Sequence, residues 1–278
     1  MRPVLLLAFA STVVPTTLPA APLELVRAAL SDVEGGAALP ASFDHRAGET
    51  MFFSCRIAGF QKGPDEKIHL AYSVEAFDSK GVSLVELFKN DITDEVTPQD
   101  KEWMPKIQTE IPIPPLIAPG SYKIVIKAED LVAKAKTEMT VPFEVRGHEI
   151  APSETLTARN MQFLRSEDDA KPLVQPVYRS GDAVWLKFDI IGFRYGPKNK
   201  IDVSYASSIL DSSGKVLWTQ PEPTSEQTES FYPKLYVPAV FSITVQPGTR
   251  PGPYTIAAQV KDAIGNQSYE AKATFTVE

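Results

Sequence analysis

A run of matches at one spacing divides this chain in two. Ala47-Gly48-Glu49 returns as Ser180-Gly181-Asp182, an offset of 133 residues. At the same offset Gly59-Phe60 returns as Gly192-Phe193, Gly63-Pro64 as Gly196-Pro197, and Lys67-Ile68 as Lys200-Ile201. Asp78-Ser79-Lys80-Gly81 returns as Asp211-Ser212-Ser213-Gly214. Farther on the offset is 132: Pro119-Gly120-Ser121-Tyr122 matches Pro251-Gly252-Pro253-Tyr254, and Asp130 matches Asp262. So many matches in one order mark an internal repeat, and a repeat decides the architecture before any single motif does. Each copy holds about 125 residues, an ordinary domain size. The copies fall at 22–146 and 149–278, joined by a short connection around Gly147 and His148. The slip in offset lies between Val82 and Glu110, and surface loops are where copies of one domain differ.

Period-two patterning runs through both copies. Met51, Phe53, Cys55 and Ile57 share one parity, as do Val184, Leu186, Phe188 and Ile190. Trp185, Lys187 and Asp189 take the other parity. Ile68, Leu70 and Tyr72 match Ile201, Val203 and Tyr205. Alternation of this kind puts apolar side chains on one face of a strand. Asp78 to Gly81 and Asp211 to Gly214 read as hairpin turns, with Asp capping and Gly supplying positive φ. Ile264-Gly265-Asn266-Gln267 reads as another; its counterpart Val132-Ala133-Lys134 lacks the glycine. The fold expected is all-β: two tandem antiparallel β-sandwich domains.

Pro-Gly-x-Tyr, then alternating apolar residues and Asp, occurs at Pro119 to Asp130 and again at Pro251 to Asp262. This pattern resembles the late strands of bacterial extracellular immunoglobulin-like and macroglobulin-type β-sandwich domains. The resemblance covers roughly the last quarter of each copy. It implies an immunoglobulin-like fold in which Tyr122 and Tyr254 bond to backbone upstream of themselves. A shared fold does not by itself imply an activity.

The N-terminus reads as a secretion signal over residues 1–21. Arg2 supplies the charge, Val4 to Ala10 the apolar core, and Leu18-Pro19-Ala20 the small residue a signal peptidase needs. A secreted or periplasmic protein with no membrane span after cleavage is expected. The formal net charge is -7, with no basic cluster, which excludes nucleic acid as a natural partner. Cys55 is the single cysteine, so no intramolecular disulfide can form. Its parity makes it a buried core thiol.

Chemistry-bearing motifs are absent. The three histidines, His45, His69 and His148, have no His or Cys at ligand spacing and read as ordinary surface residues. There is no G-x-S-x-G, no G-x-G-x-x-G and no Walker loop. Glu167, Asp168 and Asp169 form the densest acidic group, but calcium loops space their ligands differently, so a solvated turn is expected. No cofactor and no metal are implied.

Loop aromatics are the best binding signal. Phe231-Tyr232-Pro233-Lys234 matches Trp103-Met104-Pro105-Lys106, and Tyr195 lies near Phe193. Exposed rings stack on sugars and partner proteins. Trp103, Tyr195 and Tyr232 are therefore the candidate ligand-binding residues. The expectation is a non-enzymatic exported module presenting loops to a protein or glycan. The alternatives are a carbohydrate-binding module, which needs those three rings exposed and coplanar, and a hydrolase whose acid and base are assembled by the fold.

Overall fold

The computed structural model describes residues 21–97 and 102–278. The protein is all-β; among the described residues the only helical turn is the short 3-10 segment Pro197–Asn199. The secretion signal expected over residues 1–21 lies, Ala21 apart, outside the described residues.

In the N-terminal half the strands are β1 (Glu24–Ser31), β2 (Asp44–Arg46), β3 (Thr50–Ala58), β4 (Lys67–Phe77), β5 (Phe88–Glu95), β6 (Lys106–Pro112), β7 (Gly120–Asp130) and β8 (Ala135–Arg146). One sheet has the order β1-β3-β6 and the other β2-β8-β7-β4-β5. Pairings are antiparallel except that β2 runs parallel to β8. In the C-terminal half the strands are β9 (Thr157–Leu164), β10 (Val177–Tyr178), β11 (Ala183–Ile191), β12 (Ile201–Leu210), β13 (Val216–Thr219), β14 (Thr224–Thr228), β15 (Val237–Thr244), β16 (Gly252–Asp262) and β17 (Gln267–Val277). Their sheets run β9-β11-β15 and β10-β17-β16-β12, and both β13 and β14 pair with β12.

The same pairing order is thus written in both halves, and the departure is local. One long edge strand, β5, lies along β4. Along β12 the edge is two short strands, because Pro221 and Pro223 stand between them and proline cannot donate to a ladder.

Alternation sets the cores. Met51, Phe53, Cys55 and Ile57 of β3 face Ile68, Leu70 and Val74 of β4 and Ile124 and Ile126 of β7 in one buried cluster. Val184, Leu186, Phe188 and Ile190 of β11 meet Ile201 and Val203 of β12 and Ile256 and Val260 of β16 in a second. Each fully buried aliphatic side chain contributes about 1.5–3 kcal/mol. Burial pushes the Cys55 thiol up to about 12, so it stays protonated.

Several local devices recur. The Tyr122 hydroxyl donates to the Ala118 carbonyl at 2.6 Å, and that of Tyr254 to the Arg250 carbonyl at 2.8 Å. Asp78 Oδ1 accepts from the N–H groups of Lys80 and Val82, and Asp211 Oδ1 from those of Ser213 and Lys215. Gly59 and Gly192 both have positive φ, and a Cβ there would sit 1.9 Å and 2.0 Å from the carbonyl oxygens of Pro22 and Thr155. Only glycine allows the segment leading into the first strand of each half to pass so close.

The second hairpin works differently from its expected form. The left-handed residue is Asn266 (φ 49), not Gly265, and Lys134 (φ 58) takes the same conformation without any glycine nearby. Gly265 makes room instead: a Cβ there would lie 2.2 Å from Asp262 Oδ2. Asp262 and Asp130 are buried and accept hydrogen bonds from the N–H groups of their own turns. Each also accepts one from a distant loop, at Arg194 and Gln61 respectively.

Two polar residues are not where parity alone put them. Asp189, on the solvent parity of β11, is buried, because the connecting segment folds over it. His45 is buried at 3% exposure rather than on the surface. Strand β2 places it between the rings of Phe43 and Phe143, edge-on at 5.0 Å and 6.0 Å, and burial holds its pKa below the ordinary histidine value.

Candidate binding site at the seam between the halves

The connection is held by side chains. His148 Nε2 lies 2.7 Å from Asp189 Oδ2, and Asn160 Nδ2 donates to the same oxygen at 2.7 Å. Asn160 itself sits at a break in register between β9 and β11, with positive φ. The His148 ring meets Tyr236 edge-on at 5.4 Å. Burial, and then the charge of Asp189, raise the Tyr236 pKa.

Beside the connection the loop before β15 is fixed from its own half. Asn199 Nδ2 donates to the carbonyls of Ser230 and Phe231 at 3.1 Å and 2.6 Å. Lys234 Nζ donates to Glu226 Oε1 at 2.7 Å and to Thr228 Oγ1 at 2.8 Å. The Tyr195 hydroxyl donates to the Lys234 carbonyl at 2.6 Å. So held, the loop drives Tyr232 across the seam. Its ring joins the core cluster of the N-terminal half, and its hydroxyl donates to Asp78 Oδ2 at 3.0 Å. Burial is the main cause raising the Tyr232 pKa, with the hydrogen bond to Asp78 and its charge adding to it. Tyr122 is pushed up to about 12, first by burial and then by the same carboxylate.

The loop separates two concavities. One, about 370 Å³, is almost wholly apolar, with Leu84, Pro112 and Pro115 on one wall and Phe231 and Pro233 on the other. The other, about 390 Å³, is more closed. Ile117, Ile150, Ile191 and Phe193 supply its apolar lining, and Lys80, His148, Arg194, Tyr195 and Tyr236 its polar and aromatic lining. Residues reach this cleft from the N-terminal half, the connection and the C-terminal half together. An apolar cleft of this size with a few convergent polar groups is the usual form of a ligand site.

The rings singled out in the sequence separate here. Tyr232 is only 8% exposed and acts as a plug between the halves, so it is not a presented ring. The slip region placed it in a loop, but the N-terminal core is deep enough there to take a whole side chain. Trp103 is exposed and stands edge-on to Phe60 at 6.3 Å. Tyr195 is exposed, lines the cleft, and stands edge-on to Phe193 at 5.5 Å. The trio therefore forms no shared exposed plane. Phe231 stood in the aromatic run singled out in the sequence, whereas Tyr236, His148 and Asp78 carried no signal for this seam beyond their place near the connection and a turn.

At the acidic turn, Asp169 Oδ2 accepts from the N–H groups of Arg165 and Ser166, and hydrogen bonds from Ser166 hold its carboxyl below the usual range. The Glu167 carbonyl accepts from Lys187 Nζ. Among the described residues no group of three or more His, Cys, Asp or Glu is arranged to hold a metal ion. No helix among them is long and apolar enough to cross a membrane.

No family model matches the chain, and no curated protein matches it. Among solved structures it is similar to a family 123 glycoside hydrolase from Clostridium perfringens, with TM-score 0.29 and 17% identity, over 45% of this chain and 27% of that one. It is similar to an alkylpurine DNA glycosylase from Pseudomonas fluorescens, with TM-score 0.27 and 16% identity, over 44% and 30%. It is also similar to an α-2-macroglobulin from Salmonella, with TM-score 0.28 and 13% identity, over 92% and 16%. The chain spans less than a third of the length of each of these proteins. At such scores the likenesses carry nothing about chemistry or partners.

Proposed function

We propose that this is an exported, non-enzymatic binding protein built from two tandem immunoglobulin-like sandwich domains of macroglobulin type, 22–146 and 149–278, which hold a ligand where they meet. The observation that carries the reading is the partly enclosed cleft, whose lining is shared by both halves and their connection. The recurring strand order supports two copies of one domain, as do the paired bonds of Tyr122 and Tyr254. Arg2, the apolar run from Val4 and the small Ala20 support export. The hydrogen bond from Tyr232 to Asp78 ties the two halves together beside the cleft, which supports a preformed site that its ligand need not order.

The test uses the purified full chain. It is incubated with a small-molecule extract, exchanged into volatile buffer and weighed by native mass spectrometry. An added mass retained by the wild type and lost in Ile150→Arg, which puts a charged side chain in the cleft, is the expected result. Equal retention by both proteins refutes the cleft as the site.

A second reading, hydrolysis, draws on His148 and Asp189 at 2.7 Å beside the same cleft. It requires turnover of nitrophenyl ester or glycoside substrates that His148→Gln abolishes. Wild-type protein without turnover excludes it for these substrates.

A further inference from the structure

The cleft's charge runs against that of the chain. The formal net charge is -7, yet Lys80 and Arg194 line the cleft with Glu154 as the one carboxylate beside them. Among the described residues neither Lys80 nor Arg194 enters an ion pair.

The reason lies in the neighbouring acids. Asp78, two positions before Lys80, is occupied by the N–H groups of Lys80 and Val82 and by the Tyr232 hydroxyl. Asp262, which accepts the Arg194 N–H, is occupied by its own turn and by Gln267 Nε2. With their oxygens taken up by backbone and side-chain donors, neither carboxylate forms a direct ion pair with Lys80 or Arg194. Both cations are exposed at the cleft, and a cation without an ion pair favours an acid group there through a charge-assisted hydrogen bond.

Phe193, Tyr195 and Tyr236 supply flat apolar surface around the same space. Rings stack on such faces, and a volume of about 390 Å³ suits one or two rings. We infer that the cleft takes a ring-bearing organic acid, its ring against Phe193, Tyr195 and Tyr236 and its acid group between Lys80 and Arg194. Aromatic acids and acidic sugars share this chemistry. The inference rests on the cleft being the ligand site.

Two fluorescent probes with one ring system separate the claims. 8-Anilinonaphthalene-1-sulfonate carries the acid group, and N-phenyl-1-naphthylamine lacks it. The full chain should bind the sulfonate at one site about ten-fold more tightly than the amine. Lys80→Gln with Arg194→Gln should erase that preference and leave amine binding unchanged; the glutamines keep the aliphatic stems, and unfolding curves verify the fold. Ile150→Trp, which fills the cleft without adding charge, should abolish both. Equal affinities, both lost in Ile150→Trp, overturn the acid preference and leave the cleft reading standing. Affinities untouched by Ile150→Trp overturn both. Displacement of the sulfonate by benzoate assigns aromatic acids, displacement by glucuronate assigns acidic sugars, and displacement by neither overturns the inference.

Discussion

The Tyr232 hydroxyl donates to Asp78 Oδ2 at 3.0 Å, a bond between residues 154 positions apart. The other oxygen of Asp78 holds the turn between β4 and β5 through Lys80 and Val82. One carboxylate therefore closes a hairpin in one half and anchors a ring from the other. Its counterpart Asp211 closes the matching hairpin through Ser213 and Lys215 and stays half-buried.

Removing this anchor should uncouple the halves. Tyr232→Phe leaves Asp78 without one of its donors and should cost about 1–3 kcal/mol. Tyr232→Ala also empties a place in the N-terminal core and should cost about 3–5 kcal/mol. Urea unfolding followed by fluorescence and circular dichroism is the measurement. The wild type should unfold in one transition, and Tyr232→Ala should show two, as each half then melts by itself. A single transition in Tyr232→Ala contradicts the coupling.

Alkali should weaken the protein before it affects an unfolded chain further. Burial pushes Tyr122 and Tyr178 each up to about 12, well above the ordinary tyrosine value. A raised pKa means the native state keeps protons that the unfolded state has lost. Stability is therefore undiminished below about pH 10 and falls between about pH 10 and 12. The loss should be about 2 kcal/mol for each tyrosine over that window. Urea midpoints at stepped pH follow it, and Tyr122→Phe or Tyr178→Phe should flatten the curve by one share. A midpoint that rises across the window contradicts the account.

Cys55 should be inert in the folded protein. Its thiol is buried in β3, and its pKa of about 12 leaves almost no thiolate at neutral pH. Reaction with 5,5′-dithiobis(2-nitrobenzoate) should go no faster than global unfolding, and full reaction should follow addition of urea. Prompt labelling of native protein contradicts the burial.

The paired glycines offer a comparison within one chain. Gly59→Ala and Gly192→Ala should each cost about 2–4 kcal/mol, since a methyl group meets the Pro22 or Thr155 carbonyl in a left-handed backbone. Gly181→Ala, with positive φ but no atom within 4 Å of its Cβ, should cost only about 1 kcal/mol. Thermal unfolding of the three variants decides it; equal losses at all three positions contradict the steric account.

The strands and their inward faces were legible because parity is a local signal. Met51, Phe53, Cys55 and Ile57 needed no knowledge of what lies opposite them. The bonds of Tyr122 and Tyr254 were legible for the same reason, since each reaches only four residues back. Tyr232 was not, because its partner comes from the other half and periodicity names no partner across a seam. Asp189 and His45 were missed in the same way: the segment that buries each lies outside its own strand. At the second hairpin, Gly265 drew attention as the residue for positive φ, while its missing Cβ serves the Asp262 carboxylate.

The long edge strand β5 has a colloidal consequence. Its eight residues, Phe88–Glu95, lie along β4 and are almost all exposed, so their outer backbone groups could template another strand. They carry Asp91, Asp94 and Glu95 against Lys89 alone. A second molecule offering the same strand meets an edge with the same excess of negative charge. Crowded solutions of this protein are thereby kept from zipping into ribbons by charges carried on a long free edge itself.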